Sequence, residues 1–219
     1  MRDLNPLQKQ LLDDMLVRRP DLELCANALL ALHQALVTTY DKGGKLLVCG
    51  NGGSAADAMH IAGELCKSFE RKRPIPEPMA QRLRTLPFGD ELSANLEAGV
   101  PVIALGCNVC LKTAVENDSP LRDAAFAQEA YVLLKPEDVL MAISTSGNAT
   151  NCLMALSVAK AVGATTVALT GPQGGKMAAV AHITIKAPGD STKVIQEAHQ
   201  ALYHTACALI EVHYFPEPR

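Results

Sequence analysis

Tryptophan is absent from this chain, and the other large aromatics are sparse: four Phe and four Tyr supply 4% of its 219 residues. A core built on bulky rings is therefore excluded. Filling the interior falls to Ala, Leu and Val, a balance that suits helices packed on a buried parallel sheet. Positive charge is not in excess either, with 20 Lys and Arg against 23 Asp and Glu and a formal net charge of −3. Without a basic patch or stripe, the electrostatic footprint of a nucleic-acid binder is missing, and small-molecule chemistry becomes the default expectation. No stretch approaches 18 uncharged apolar residues, and the first ten residues carry charges and a proline rather than an apolar run. That pattern lacks both a secretory leader and a membrane span and points to a cytoplasmic protein with no membrane partner. A disulfide framework is excluded by number and setting. The seven cysteines, Cys25, Cys49, Cys66, Cys107, Cys110, Cys152 and Cys207, are odd in count, and most stand in apolar patterns where a reduced thiol packs as a small hydrophobe.

The chain does contain 48% hydrophobic residues, enough for one sizeable core, so residues 1–219 read as a single domain. Leu, Met and Ala recur at helical spacing over 6–17 and 22–40, predicting two opening helices with Pro20 and Asp21 between them. Lys45 to Cys49 is a short apolar run that ends in Gly50-Asn51-Gly52-Gly53-Ser54 before a helical stretch to about Ser68. The same strand, small-residue loop and helix recur at Val139 to Ile143, Ser144-Thr145-Ser146-Gly147-Asn148, and Thr150 to Val162. A third strand at 166–170 leads into Gly171-Pro172-Gln173-Gly174-Gly175, and runs at 102–105 and 183–186 bring the count to about five. Strands alternating with helices imply right-handed crossovers and a parallel α/β sandwich. Residues 69–100 break the pattern with Arg71, Lys72 and Arg73 and prolines at 74, 76 and 78. They read as an insertion with two short helices, a solvated surface excursion. Residues 192–212, free of Gly and Pro, predict one long helix.

Each glycine- or serine-rich loop ends a strand and opens a helix, where backbone N–H groups can receive an anion. Gly52, Gly53 and Ser54 at the first junction and Ser144, Thr145 and Ser146 at the second form two such loops at one sheet edge, where ligands of parallel sheets bind. Together they favour a phosphorylated ligand. Neither loop has the dinucleotide spacing or the Lys-Ser/Thr ending of a P-loop, so no nucleotide cofactor is expected. His60 and Glu64 are four apart on the helix after the first loop and share a face. On the last helix Gln196 and His204 are two turns apart, some 80° around the axis at about 3.6 residues per turn, close enough to face one cleft.

The run from Gly50 through Ser54 to Asp57 and His60, then Glu64, Ser144-Thr145-Ser146-Gly147-Asn148, Leu169-Thr170-Gly171, Gly174-Gly175-Lys176-Met177-Ala178, Ile195-Gln196-Glu197 and His204 resembles, in order and spacing, the phosphoheptose isomerases of the sugar-isomerase (SIS) family. The resemblance spans nearly the whole chain outside the insertion. It implies a flavodoxin-like three-layer sandwich around a five-stranded parallel sheet, and conversion of sedoheptulose 7-phosphate to a heptose 7-phosphate by Glu64 and His204 as the acid–base pair. It further implies that Ser54, Ser144, Thr145 and Ser146 hold the phosphate and that Asn51 and Asp118 lie near the sugar. In some members zinc is held at the positions of His60, Glu64, Gln196 and His204, and the family builds its sites between subunits, so a homotetramer is expected. Ala149 stands where the family often has Ser, and Val194 where it commonly has Arg.

Two other classes are compatible with parts of the pattern. Some SIS relatives are non-catalytic regulatory proteins that associate with replication initiation, but the chain keeps both Glu64 and His204. Cys107-Asn108-Val109-Cys110, after a strand and before helical sequence, has the form of a redox dithiol, yet the neighbouring loops match the isomerase pattern.

Overall fold

A computed structural model describes residues 4–216. Its centre is a sheet of five parallel strands, β1 (Leu46–Gly50), β2 (Val102–Ala104), β3 (Val139–Ser144), β4 (Thr165–Thr170) and β5 (Ile183–Lys186), in the order β2-β1-β3-β4-β5. Strand residues alternate between two cores because successive side chains point to opposite faces. Leu46, Val48, Val139, Met141, Ile143, Val167 and Leu169 face one core; Leu47, Cys49, Leu140, Ala142 and Ala168 face the other. Burial on both sides explains why these strands read as continuous apolar runs.

The first face is covered by α1 (Pro6–Arg18), α2 (Ala26–Asp41), α3 (Gly53–Cys66) and α10 (Thr192–Tyr214). A 3₁₀ turn, Pro20–Cys25, joins α1 to α2. Asn5 starts α1 with a capping box, its Oδ1 accepting from Gln8 N–H at 2.8 Å while Gln8 Oε1 accepts from Asn5 N–H at 3.0 Å. The segment Pro20–Asp41 is, among the described residues, the one whose length and mean hydropathy of 1.2 reach those of a membrane span. Its Leu29, Leu32, Leu36 and Val37 are spent on the core instead. The opposite face is covered by α7 (Ala125–Leu133), α8 (Thr150–Val162) and α9 (Met177–Val180), with α6 (Val109–Asp118) packed beside α7.

The insertion holds two short helices, α4 (Glu77–Leu83) and α5 (Gly89–Asn95). Its tip is exposed, with Leu86 at 58% and Phe88 at 75%, but its root is not the solvated excursion the charge pattern implied. Arg73 is 1% exposed, and a bridge between Pro74 and Glu97 closes the root. The Arg73 guanidinium donates to Glu211 Oε1 and to the Leu65 and Glu64 carbonyl oxygens at 2.8, 3.0 and 3.2 Å. Glu211 also accepts from the backbone N–H groups of Phe69, Glu70 and Arg71. A charge triplet in sequence thus hides one buried, fully partnered ion pair that ties the end of α3 to α10.

Candidate active site

Strand order reverses between β1 and β3, and the loops after those two strands flank the crevice that such a reversal opens. After β1 the chain turns through Asn51 and Gly52, whose φ of 55° is a left-handed value suited to glycine. Gly53 then opens α3, and a Cβ there would collide with the Gln196 amide. Without a Cβ at 53, the Gln196 amide can lie against the loop. Ser54 is buried in the first turn of α3, while Asn51 pairs its amide with that of Asn151 at 2.8 Å in both directions.

After β3, Ser144 Oγ lies 3.4 Å from Ser146 Oγ, and the Asn148 N–H donates to Ser146 Oγ at 3.2 Å. Thr145 O accepts from Gly171 N–H at 2.9 Å, fixing this loop to the one after β4. Gly147, at φ 65°, touches Gly174 and Gly175 so closely that any side chain at 147 would overlap the opposite backbone. The two loops form a cradle of hydroxyls and backbone N–H groups. Ala149, the N-cap of α8, adds no side-chain cap, and Thr150 is exposed beside it.

Two turns further along α3 stands a second group of polar residues. His60 Nε2 and Glu64 Oε1 are 2.8 Å apart, with the Glu64 side chain 18% exposed. The rings of His60 and His204 meet edge to face at 4.9 Å between centroids. His204 comes from α10, which is held over the sheet edge by His199, buried, whose Nε2–H donates to Thr170 O at 3.1 Å. Burial first, then the neighbouring His60, lower the His204 pKa below its ordinary value, while Glu64 pulls the other way. The imidazole is therefore kept neutral near pH 7, able to take or give a proton. Phe69 packs on it at 5.5 Å, and a cavity of about 320 Å³ lined by Met15, Arg18, Phe69 and Thr205 opens beside it.

Glu64, His60 and His204 thus come together within one chain, and the Gln196 amide lies against Gly53. Asp118 is not brought to this group. It is exposed at the far end of α6, accepting from Asn117 Nδ2 at 2.8 Å. Cys107 and Cys110 are exposed free thiols around the α6 N-cap, Asn108. Two further residues join the group without having been singled out by pattern. Tyr203 places its hydroxyl 3.0 Å from His60 Nδ1, and Asp57 faces that hydroxyl with a pKa raised chiefly by burial. The available signals were that Asp57 precedes His60 by three residues on one helix face and that Tyr203 adjoins His204.

The donor set suits zinc in its imidazole nitrogens and carboxylate, which are ordinary zinc ligands, while the amide oxygen of Gln196 is a less usual one. The buried His204 Nε2 has no hydrogen-bond partner, as a nitrogen reserved for a cation would not. Among the described residues no three His, Cys, Asp or Glu side chains already converge on one point, His60 Nε2 being taken up by Glu64.

The family model for the SIS domain matches residues 20–97 and 97–171. The phosphoheptose isomerase of Trichlorobacter lovleyi is 37% identical over 206 residues, covering 94% of this chain and 92% of that protein. Among solved structures, a phosphoheptose isomerase from Neisseria gonorrhoeae superposes with a TM-score of 0.70 at 28% identity, covering 93% of this chain and 99% of the other. One from Francisella tularensis gives 0.72 at 28% identity, covering 88% and 90%.

Proposed function

The chain belongs to the SIS domain family, and from that membership we propose that it interconverts sedoheptulose 7-phosphate and D-glycero-D-manno-heptose 7-phosphate. It is a phosphosugar aldose–ketose isomerase. The observation that carries the reading is that one helix, α3, opens at the first loop with Ser54 in its first turn and carries the His60–Glu64 pair further along, beside His204 of α10.

The reaction removes a proton from C1 of the ketose, forms an enediol, and returns a proton to C2, while a hydroxyl proton moves between O1 and O2. Glu64, with one carboxylate oxygen oriented by His60, takes the carbon-bound proton and gives it back. His204, kept neutral by burial, carries the proton between the two oxygens. Ser54, Ser144, Thr145 and Ser146 hold the phosphate with neutral donors, and Gln196, beside Gly53, faces the sugar. Asn51 at the first loop belongs to the same sugar-facing rim. What supports a seven-carbon substrate is the likeness to the phosphoheptose isomerases over nearly the whole chain. Zinc, if bound, would be held by His60, Glu64, Gln196 and His204 and would supply Lewis-acid polarisation of the substrate oxygens. A homotetramer in the cytoplasm completes the proposal.

The test is to offer the purified protein sedoheptulose 7-phosphate, fructose 6-phosphate and arabinose 5-phosphate and to follow aldose–ketose exchange. Turnover of the heptulose above the others is expected. Faster turnover of a shorter sugar would replace the substrate and keep the isomerase. Binding without turnover of any, with and without zinc, would return the chain to the regulatory class.

A further inference from the structure

We propose, resting on the reading of Glu64 and His204 as the acid–base pair, that Arg73 is a positioning residue which, with Glu211, sets how far Glu64 of α3 stands from His204 of α10. The Arg73 side chain is fully buried and that of Glu211 is 1% exposed. The guanidinium spreads over three partners, Glu211 Oε1 at 2.8 Å, Leu65 O at 3.0 Å and Glu64 O at 3.2 Å.

The last carbonyls of a helix have no partner within it, and α3 ends at Cys66. Arg73 supplies donors for two of them, and one belongs to Glu64 itself. Glu211 stands about two full turns beyond His204, so both lie on one face of α10. Besides Arg73, it accepts from the N–H groups of Phe69, Glu70 and Arg71 at 2.9, 2.9 and 3.2 Å. Phe69 in turn lays its ring 5.5 Å from that of His204. One ion pair therefore holds the backbone of Glu64, the helix that carries His204 and the ring that backs His204.

Stability alone does not explain such a pair, because apolar residues of similar volume in place of a buried ion pair are often neutral or stabilising. What they cannot supply is a planar fork of donors that fixes several acceptors at set angles. A lysine ammonium keeps the charge but is a point, and it cannot reproduce that fork. Ser54 lies nearly three turns from Glu64, and the loop after β3 belongs to another element, so the phosphate grip is untouched. The defect should fall on turnover rather than on binding.

Arg73→Lys should keep the circular dichroism spectrum of the parent and lower kcat about 10- to 100-fold, the loss that goes with a displacement on the order of 1 Å. KM for sedoheptulose 7-phosphate should stay within about twofold. A lower melting temperature with unchanged kcat of the folded protein would mark a merely structural pair and overturn the proposal. The double variant Arg73→Met with Glu211→Gln removes both charges and keeps an acceptor for the Phe69 and Glu70 N–H groups. It should fold and show the same loss of kcat; a parental kcat in it would overturn the proposal equally. If neither variant folds, the pair serves the fold alone and the proposal falls. If the parent turns over no phosphosugar, the functional reading fails, and crystal structures of the parent and Arg73→Lys still decide the clamp. A changed separation of Glu64 from His204 upholds it, and an unchanged one overturns it.

Discussion

At the scale of single residues, chemistry is concentrated in side chains whose neighbours decide their state. Glu64 alone on a helix is an ordinary surface charge, but beside His60, His204 and a crevice it becomes a base. Glu64→Gln keeps shape and removes basicity. Turnover of the phosphosugar should fall by about 10²- to 10⁴-fold, as expected for lost acid–base catalysis, while binding measured by calorimetry stays near the parent value. A variant within twofold of the parent rate would take Glu64 out of the mechanism. The residues that sequence alone made legible here, His60, Glu64, Ser54, Gln196 and His204, are those joined by helical spacing or by a strand-to-helix loop. Tyr203 and Asp57 were hidden because their role exists only once α3 and α10 are packed together. Arg73 was hidden for a related reason: its sequence neighbours Arg71 and Lys72 mark a solvated run, and only the fold brings Glu211, 138 residues away, to its guanidinium.

At the scale of elements, the strand, loop and helix units were legible within a few residues, because an apolar run followed by glycine or serine and a helical period is local information. The bounds moved where tertiary contacts decide them, as at the 3₁₀ turn Pro20–Cys25, which takes residues that look helical by composition. The loop after β3 depends on a contact that no local pattern announces, the backbone of Gly147 against that of Gly174 and Gly175. Gly147→Ala would place a side chain at a left-handed φ, costing about 1–2 kcal/mol, and push the two loops apart. The expected result is a KM for the phosphosugar at least about tenfold higher, or about 1.4 kcal/mol or more of lost binding, with a smaller change in kcat. An unchanged KM would show that this loop does not hold the phosphate.

At the scale of the whole molecule, three histidines, His33, His199 and His204, have pKa values lowered first by burial, His33 to about 4. His33 is locked among helices: Gln8 of α1 donates to its Nε2 at 3.2 Å, and Gln8 also donates to Leu209 O of α10 at 3.3 Å. Between the unfolded value near 6.5 and the folded one near 4, the unfolded chain holds the proton that the folded chain refuses. Stability should therefore be full above about pH 6.5 and fall as pH drops toward 4, by about 3 kcal/mol at most from His33. Urea midpoints at pH 7.5 and pH 5 check this, and a midpoint that does not fall would contradict it. Light scattering should give the mass of a homotetramer, a form favoured by apolar side chains left open on the surface, such as Val17 at 80% and Leu24 at 93% exposure; a monomeric mass with full activity would remove that part of the proposal. The arrangement of α3 has one more consequence. Because Ser54 of the phosphate grip and the base stand on the same rigid helix, the distance between them is set on a ruler whose marks are whole turns, about 5.4 Å apart. A one-residue insertion would rotate Glu64 by about 100° away from the crevice instead of lengthening the gap by one carbon. Lineages with this helix can thus retune to a neighbouring sugar only by changing the reach of side chains, leaving the spacing between Ser54 and Glu64 fixed.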